Sequence, residues 1–351
     1  MSTQRAEGRS RREFLRGLTL AGTAGFLSLV PRQVSAEPPP ETTRLRLRQG
    51  RSICTAPQYV AEALLRSEGF TEVHYVEQGQ RTLSQVLASG EVHLALSVGA
   101  DFIPVVDAGD PVVLLAGVHV GCYELFGTDR VRSIRDLKGK TIARPGATTE
   151  TAADPDFLLA GMLAYVGLDP HRDVTWVTYP LAEAMQWLAE GKIDAFWAFP
   201  PEPQELRAQG IGHVVVDTRT DRPWSQYFCC MVVGNRAFVQ QHPVATKRAL
   251  RAILKAADLC ALEPERVARD IMDKEWVRFE GTLYEKQYAY TLQVMKELSY
   301  NKWREYDPED TVRFYALRLH EVGIIKNSPQ KIIAQGTDWR FFNALKKELK
   351  G

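Results

Sequence analysis

The sequence has no surplus of charge of either sign: 44 Lys and Arg stand against 43 Asp and Glu, a formal +1 over 351 residues. That excludes a basic field for non-specific nucleic-acid binding. No apolar run reaches the ~20 residues a bilayer span needs, because the longest, near residues 18–30, is diluted by Gly and Thr. The chain has no G-x-x-x-x-G-K-[ST], no G-x-G-x-x-G after a strand, no H-E-x-x-H and no G-x-S-x-G. Its seven histidines are scattered, with no pair at ligand spacing. His74 and His93 interrupt apolar strands and read as hydrogen-bonded structure. Cysteine is scarce, with Cys54, Cys122, Cys229, Cys230 and Cys260. Five allow at most two disulfides, and their spacing fits no zinc pattern. Adjacent Cys229 and Cys230 lie on a predicted strand and face opposite ways, a poor metal pair. No catalytic residue, metal or cofactor is expected. Gly 25 and Pro 19 are too few for a fibrous chain, while 45% hydrophobic content fills more than one globular core.

What is present begins with an address. Ser10-Arg11-Arg12-Glu13-Phe14-Leu15-Arg16 precedes the weakly apolar run 17–30, then Arg32 and the small-residue site Val34-Ser35-Ala36. This reads as a twin-arginine signal peptide over residues 1–36, with ordinary secretion and an uncleaved anchor as alternatives. The segment holds six Arg and two Glu, so residues 37–351 carry −3. Pro38-Pro39-Pro40 forms a stiff leader. No cysteine follows the apolar run, so no lipid attachment is expected there. The expected location is the periplasm or its equivalent.

The rest reads as two copies of one plan. Residues 44–48 alternate as a strand, 57–65 read as a helix, and strands at 73–76 and 92–97 flank a helix at 83–89. The order returns with strands at 140–143, 174–178 and 193–197 around helices at 157–166 and 181–189. Ala88-Ser89-Gly90-Glu91-Val92-His93-Leu94-Ala95 and Ala189-Glu190-Gly191-Lys192-Ile193-Asp194-Ala195-Phe196 match piece for piece. Each sets a helix C-cap glycine just before a buried strand. Extended segments at 112–116, 121–127 and 227–233 suit two passages between two lobes. Helices then follow at 243–262, after Glu263, after Asp307 and from Asp338, the last with Trp339, Phe342, Leu345 and Leu349 on a face that docks on the first lobe.

In open α/β sheets ligands bind beyond the carboxyl ends of strands, where helix N-termini suit anions. Four loops qualify: residues 51–55, 97–101, 146–151 and 197–200. Ser52, Thr55, Ser97, Thr148 and Thr149 either bond ligand oxygens or cap helices. Gly99 and Gly146 either admit a ligand to the backbone or turn the chain. Arg51 and Arg144 are candidate anion partners or solvated rim residues. Asp101 and Glu150 either receive an amine or cap. Tyr123, Trp197, Phe199, Trp224 and Tyr227 offer walls for a ring or pack the core, with Trp197 and Phe199 the strongest of them.

The chain resembles the solute-binding proteins of ABC importers in the nitrate/sulfonate/taurine branch. The resemblance rests on Ala56-Pro57-Gln58-Tyr59-Val60-Ala61, Ser133-Ile134-Arg135-Asp136-Leu137-Lys138-Gly139-Lys140-Thr141-Ile142, Gly167-Leu168-Asp169-Pro170 and Glu190-Gly191-Lys192-Ile193-Asp194-Ala195. It implies an α/β, two-lobed periplasmic-binding-protein-like II fold, each lobe a mainly parallel sheet flanked by helices, with a helical C-terminal extension. Lobe 1 is expected at 42–130 plus 228–351 and lobe 2 at 131–227. The expected function is capture of a small organic anion or an aromatic or heterocyclic compound. Its delivery would be to an inner-membrane permease and ATPase, by a monomer. His93 stands where that family has an acidic residue like Asp194. A related group, the thiamine-pyrimidine synthases, has an iron site and a cysteine-rich motif. Cys229-Cys230 echoes the motif without nearby ligand histidines, so that site is not expected. An exported enzyme of the same fold and a ligand-presenting sensory protein are the alternatives.

Overall fold

The computed structural model describes residues 37–50, 52–145, 156–179, 181–277 and 284–350. The predicted signal peptide therefore lies outside the described residues. Ten strands carry the architecture: β1 (Arg44–Arg48), β2 (Glu72–Val76), β3 (Leu94–Val98), β4 (Val112–Val120), β5 (Glu124–Gly127), β6 (Lys140–Pro145), β7 (Val174–Tyr179), β8 (Ala195–Ala198), β9 (His213–Asp217) and β10 (Phe228–Asn235). They form two five-stranded sheets, ordered β2-β1-β3-β10-β4 and β7-β6-β8-β5-β9. The two orders are the same pattern, as the repeated helix–glycine–strand segments predicted. Within each sheet a single strand, β10 or β5, runs antiparallel to its neighbours. Each of these is the first strand laid down after the chain has crossed from the other sheet. No helix among the described residues is long and apolar enough to cross a membrane.

The first crossing falls between Val120 and Glu124, upstream of the boundary at 130 drawn from the sequence. The reason is that β5 pairs with β8 and β9 of the second sheet. Gly121 makes that passage possible: its φ is +63°, and a Cβ there would stand 2.5 Å from Arg219 Cα in the returning segment. Only glycine combines that conformation with that closeness. The second crossing runs from β9 to β10 through Trp224–Gln226.

The C-terminal third is helical, and Pro243–Leu262 forms where its apolar spacing and N-terminal proline predicted. The last helix, Arg340–Glu348, docks on the first sheet. Asp338 N–H donates to Leu114 of β4 at 2.9 Å, and Phe342 packs on Phe228 of β10. Helix Tyr284–Glu297 ends in Glu297, which reaches Arg207 and Arg219, and both arginines also hold Glu124 of β5. This partly buried network ties the extension to the second sheet, and Arg219 also pairs with Asp217 at 2.7 Å.

His93 proves to be a structural counterpart of Asp194. Its Nδ1 accepts the Arg46 N–H of β1 at 3.2 Å, as Asp194 Oδ2 accepts the Thr141 N–H of β6 at 2.9 Å. Its ring stacks on Phe238 at 4.1 Å. Burial, reinforced by the Arg46 and His242 charges, lowers its pKa from 6.5 to about 4. Between those values the unfolded chain binds the proton and the folded one does not. The contribution to stability is therefore complete above about pH 6.5 and is lost as pH falls toward 4. The urea midpoint of the protein is expected to drop across this window, and to drop less in His93→Asn. An equal drop in both would assign the effect to other groups.

Candidate ligand cleft

The carboxyl ends of β1 and β3 and the chain after β8 converge on one cavity. It is lined by Arg48, Ser52, Cys54, Thr55, Ser97, Val98, Tyr123, Phe199 and Cys230. Both sheets and the crossing segment contribute, so it is a cleft between the lobes. Ser52, Thr55, Ser97, Tyr123 and Phe199 were picked out from sequence. Arg48, Cys54 and Cys230 were not.

The hydroxyls are engaged locally. Ser52 Oγ accepts the Cys54 N–H at 3.2 Å, the cap of the turn Ile53–Thr55. Thr55 Oγ1 donates to the Ser52 carbonyl at 2.8 Å. Both still border the cavity and keep unused lone pairs. Arg48 closes one side, buried at 3% exposure, with its Nε donating to Gln78 at 3.0 Å. Because β1 alternates Arg and Leu, Arg48 reads as one more solvent-facing arginine. Its place at the strand's carboxyl end was the usable signal.

Other expectations fall elsewhere. Trp197 is fully buried, one layer behind the cavity. It stacks on Tyr123 at 4.8 Å and 6°, and its Nε1–H donates to Asp156 at 3.0 Å. It supports the wall instead of forming it. Gly99 serves packing, since a Cβ there would meet Met231 Sδ of β10 at 2.4 Å. Trp224 packs edge-on against Tyr165 and Phe314, among helices rather than in the cavity. Arg144 acts electrostatically on Asp156 and lies 6.0 Å from the Trp176 ring. Arg51, Gly146, Thr148, Thr149 and Glu150 lie outside the described residues.

The electrostatics are the informative part. Asp101 belongs to the turn Gly99–Asp101 after β3, and makes no side-chain cap bond to the helix Phe102–Asp107. Asp156, from the other lobe, caps helix Phe157–Tyr165 through the Leu159 N–H at 2.9 Å. Burial, then the charge of Asp156, raises the Asp101 pKa well above the usual range. Burial likewise raises Asp156 despite its hydrogen bonds. A third carboxyl, Glu202, is pushed up to about 8 by burial and feels the Cys54 thiol. Its Oε2 finds no hydrogen-bond partner. Two lobes thus bring carboxyl groups together in low dielectric, an arrangement relieved by protonation or by donors between them.

All five cysteines are buried and free. Four of them, together with His119, gather beside this cavity, and a histidine therefore does stand near Cys230, contrary to the sequence expectation. Cys122 Sγ is 3.7 Å from Cys230 Sγ and 3.8 Å from His119 Nδ1. Thiols 108 residues apart in the chain leave no spacing pattern to read.

Comparison with known proteins agrees with this geometry. The chain is 28% identical over 114 residues to the bicarbonate-binding protein CmpA of Synechococcus elongatus, covering 32% of this chain and 25% of that protein. The matched stretch is thus a quarter of that relative's length. It is 24% identical over 239 residues to the 4-amino-5-hydroxymethyl-2-methylpyrimidine phosphate synthase THI12 of Saccharomyces cerevisiae, covering 64% and 67%. The crystal structure of the periplasmic nitrate-binding protein NrtA from Synechocystis superposes with a TM-score of 0.66 at 16% identity, covering 89% and 90% of the two chains. That likeness establishes the two-lobed periplasmic-binding-protein fold. The model of the NMT1-like family matches residues 39–272, and the chain belongs to that family.

Proposed function

We propose that this chain is the solute-capturing component of an ABC importer, exported to the periplasm or its equivalent by the twin-arginine route. It would act as a monomer, delivering its guest to a membrane permease and ATPase. The single observation that carries the reading is the cavity where loops of both sheets and a crossing segment converge. Closure over a guest desolvates it and adds contacts from the second lobe, and the closed form is what a permease reads. Relatives named for bicarbonate and nitrate support the transport role. The cleft's chemistry supports a different guest from theirs. Tyr123 and Phe199 wall a flat ring, Arg48 meets an acidic or carbonyl edge, and Asp101, in the turn that follows the lining residues Ser97 and Val98, receives N–H donors. An amino-substituted heterocycle satisfies all three, and a small inorganic anion would face the carboxyls unpaired.

The match to the yeast synthase supports a second reading, an exported enzyme of the same fold. Mass spectrometry separates the two. Protein exported and purified without ligand is incubated with a panel of amino-heterocycles, organic acids, nitrate and bicarbonate, and thermal shift selects binders. The binding reading expects an amino-heterocycle to stabilise the protein and to be recovered unchanged. Recovery of an altered compound supports the enzyme, and stabilisation by nitrate or bicarbonate alone overturns the proposed guest.

A further inference from the structure

We propose that His119, Cys122 and Cys230 form a binding site for a borderline-to-soft d10 cation of the zinc class, set between the two strands that leave and re-enter the first lobe. The three ligand atoms lie within 4.8 Å of one another and all three residues are buried. Zn–S bonds of about 2.3 Å and Zn–N bonds of about 2.0–2.1 Å at tetrahedral angles put two sulfurs ~3.8 Å apart, and sulfur and nitrogen ~3.6 Å apart. The observed 3.7 Å between the sulfurs and 3.8 Å between Cys122 Sγ and His119 Nδ1 are those tetrahedral edges to within about 0.2 Å.

The surroundings are those of a metal-ligating histidine. His119 Nε2 lies 3.0 Å from the Cys54 carbonyl, against 3.3 Å from Nδ1 to the Val120 carbonyl. The shorter contact assigns the proton to Nε2, so Nε2–H donates to Cys54 and the Nδ1 lone pair is left on the thiol side. A backbone carbonyl on the far ring nitrogen is the usual support of such a ligand. Cys230 is also aimed by the sheet. The β10–β4 register is irregular on both sides of Cys230, between Phe228 and Cys230 and between Cys230 and Met231. Such irregularities re-aim a side chain.

Three protein ligands leave a fourth position. Cys54 interacts with the Cys122 and Cys230 thiols, and with Cys230 it borders the ligand cavity. The fourth ligand is therefore the Cys54 thiolate, or a donor atom of the guest itself. Uptake of the cation releases the thiol protons of Cys122 and Cys230 to solvent, with no redox change. Because His119 is the penultimate residue of β4, Cys122 lies in the outgoing passage and Cys230 in the strand formed on return, the cation staples the two arms of the hinge.

The test uses the full chain purified without a histidine tag, reduced and stripped with chelator. Zinc chloride is titrated against a competing chromophoric chelator, and cobalt chloride is added in parallel. The site predicts one equivalent bound, with a thiolate-to-cobalt charge-transfer band and tetrahedral d–d bands. Cys230→Ser and His119→Gln should each bind at least roughly a hundredfold more weakly, since even supporting residues of such sites cost 10–100-fold. Cys260→Ser, buried elsewhere, should bind as wild type does. No stoichiometric uptake by the reduced wild type, octahedral cobalt without thiolate bands, or equal loss in Cys260→Ser overturns the site. So does mass-spectrometric finding of Cys122 and Cys230 in a disulfide that zinc fails to prevent. The cobalt spectrum of the wild type decides the matter even where a variant fails to fold.

Discussion

Replacing Trp197 with alanine will cost the fold about 3–5 kcal/mol, the range for emptying a fully buried large aromatic site. The indole is at 0% exposure, stacks face to face on Tyr123, and donates to Asp156. Truncation removes the support behind the cavity wall and one of the hydrogen bonds that hold the buried Asp156 carboxylate. Urea denaturation followed by circular dichroism measures the loss. Ligand affinity falls too, but as a consequence, because Tyr123 is no longer held. A stability loss below about 1 kcal/mol with a large affinity loss would instead put the indole in the open cleft. Trp197→Phe, which keeps a stacking ring, should recover most of the stability and leave Asp156 without its donor.

Asp101→Asn is expected to raise the melting temperature at pH 7 and to weaken an amino-heterocyclic guest about 10–100-fold, the worth of a hydrogen bond to a charged group. The sign follows from the raised pKa of Asp101. Above the ordinary carboxylate range the unfolded chain releases this proton readily while the folded chain retains it. The group's contribution is therefore undiminished at low pH and is lost as pH rises through the folded-state value. Asparagine keeps the shape without the charge, so its stabilisation should be present at pH 7 and vanish toward about pH 4, the ordinary carboxylate value. A guest whose amino group lies against Asp101 draws it into the carboxylate form, and the variant cannot supply that charge. Unchanged affinity would remove Asp101 from the site. A lower melting temperature at pH 7 would show that the carboxylate is paired more favourably than its surroundings indicate.

These two residues also mark what a sequence reveals and what it hides. The two-sheet plan was legible because each helix C-cap glycine precedes a buried strand at a fixed offset, a local pattern repeated about a hundred residues later. Candidate loops were legible for the same reason, since they sit at strand ends. Which side chain of a loop enters the cavity was not. By the offset that pairs His93 with Asp194, Ser97 matches Ala198; Ser97 borders the cavity, while the neighbouring Trp197 lies behind Tyr123. That choice depends on the crossing segment, whose position is a tertiary fact. His93 illustrates a different limit. An imidazole stands where the family has a carboxylate, and only the fold shows that it serves the strand's backbone at the end remote from the cavity. The cysteine cluster is harder still, because sheet pairing alone brings Cys230 beside His119.

Isothermal titration calorimetry with the amino-heterocycle selected by thermal shift, followed by chromatographic recovery of the guest, tests the central claim most directly. The account predicts saturable one-to-one binding, weakened in Asp101→Asn, with the compound returned chemically intact. No saturable binding, or a guest returned in altered form, would contradict it.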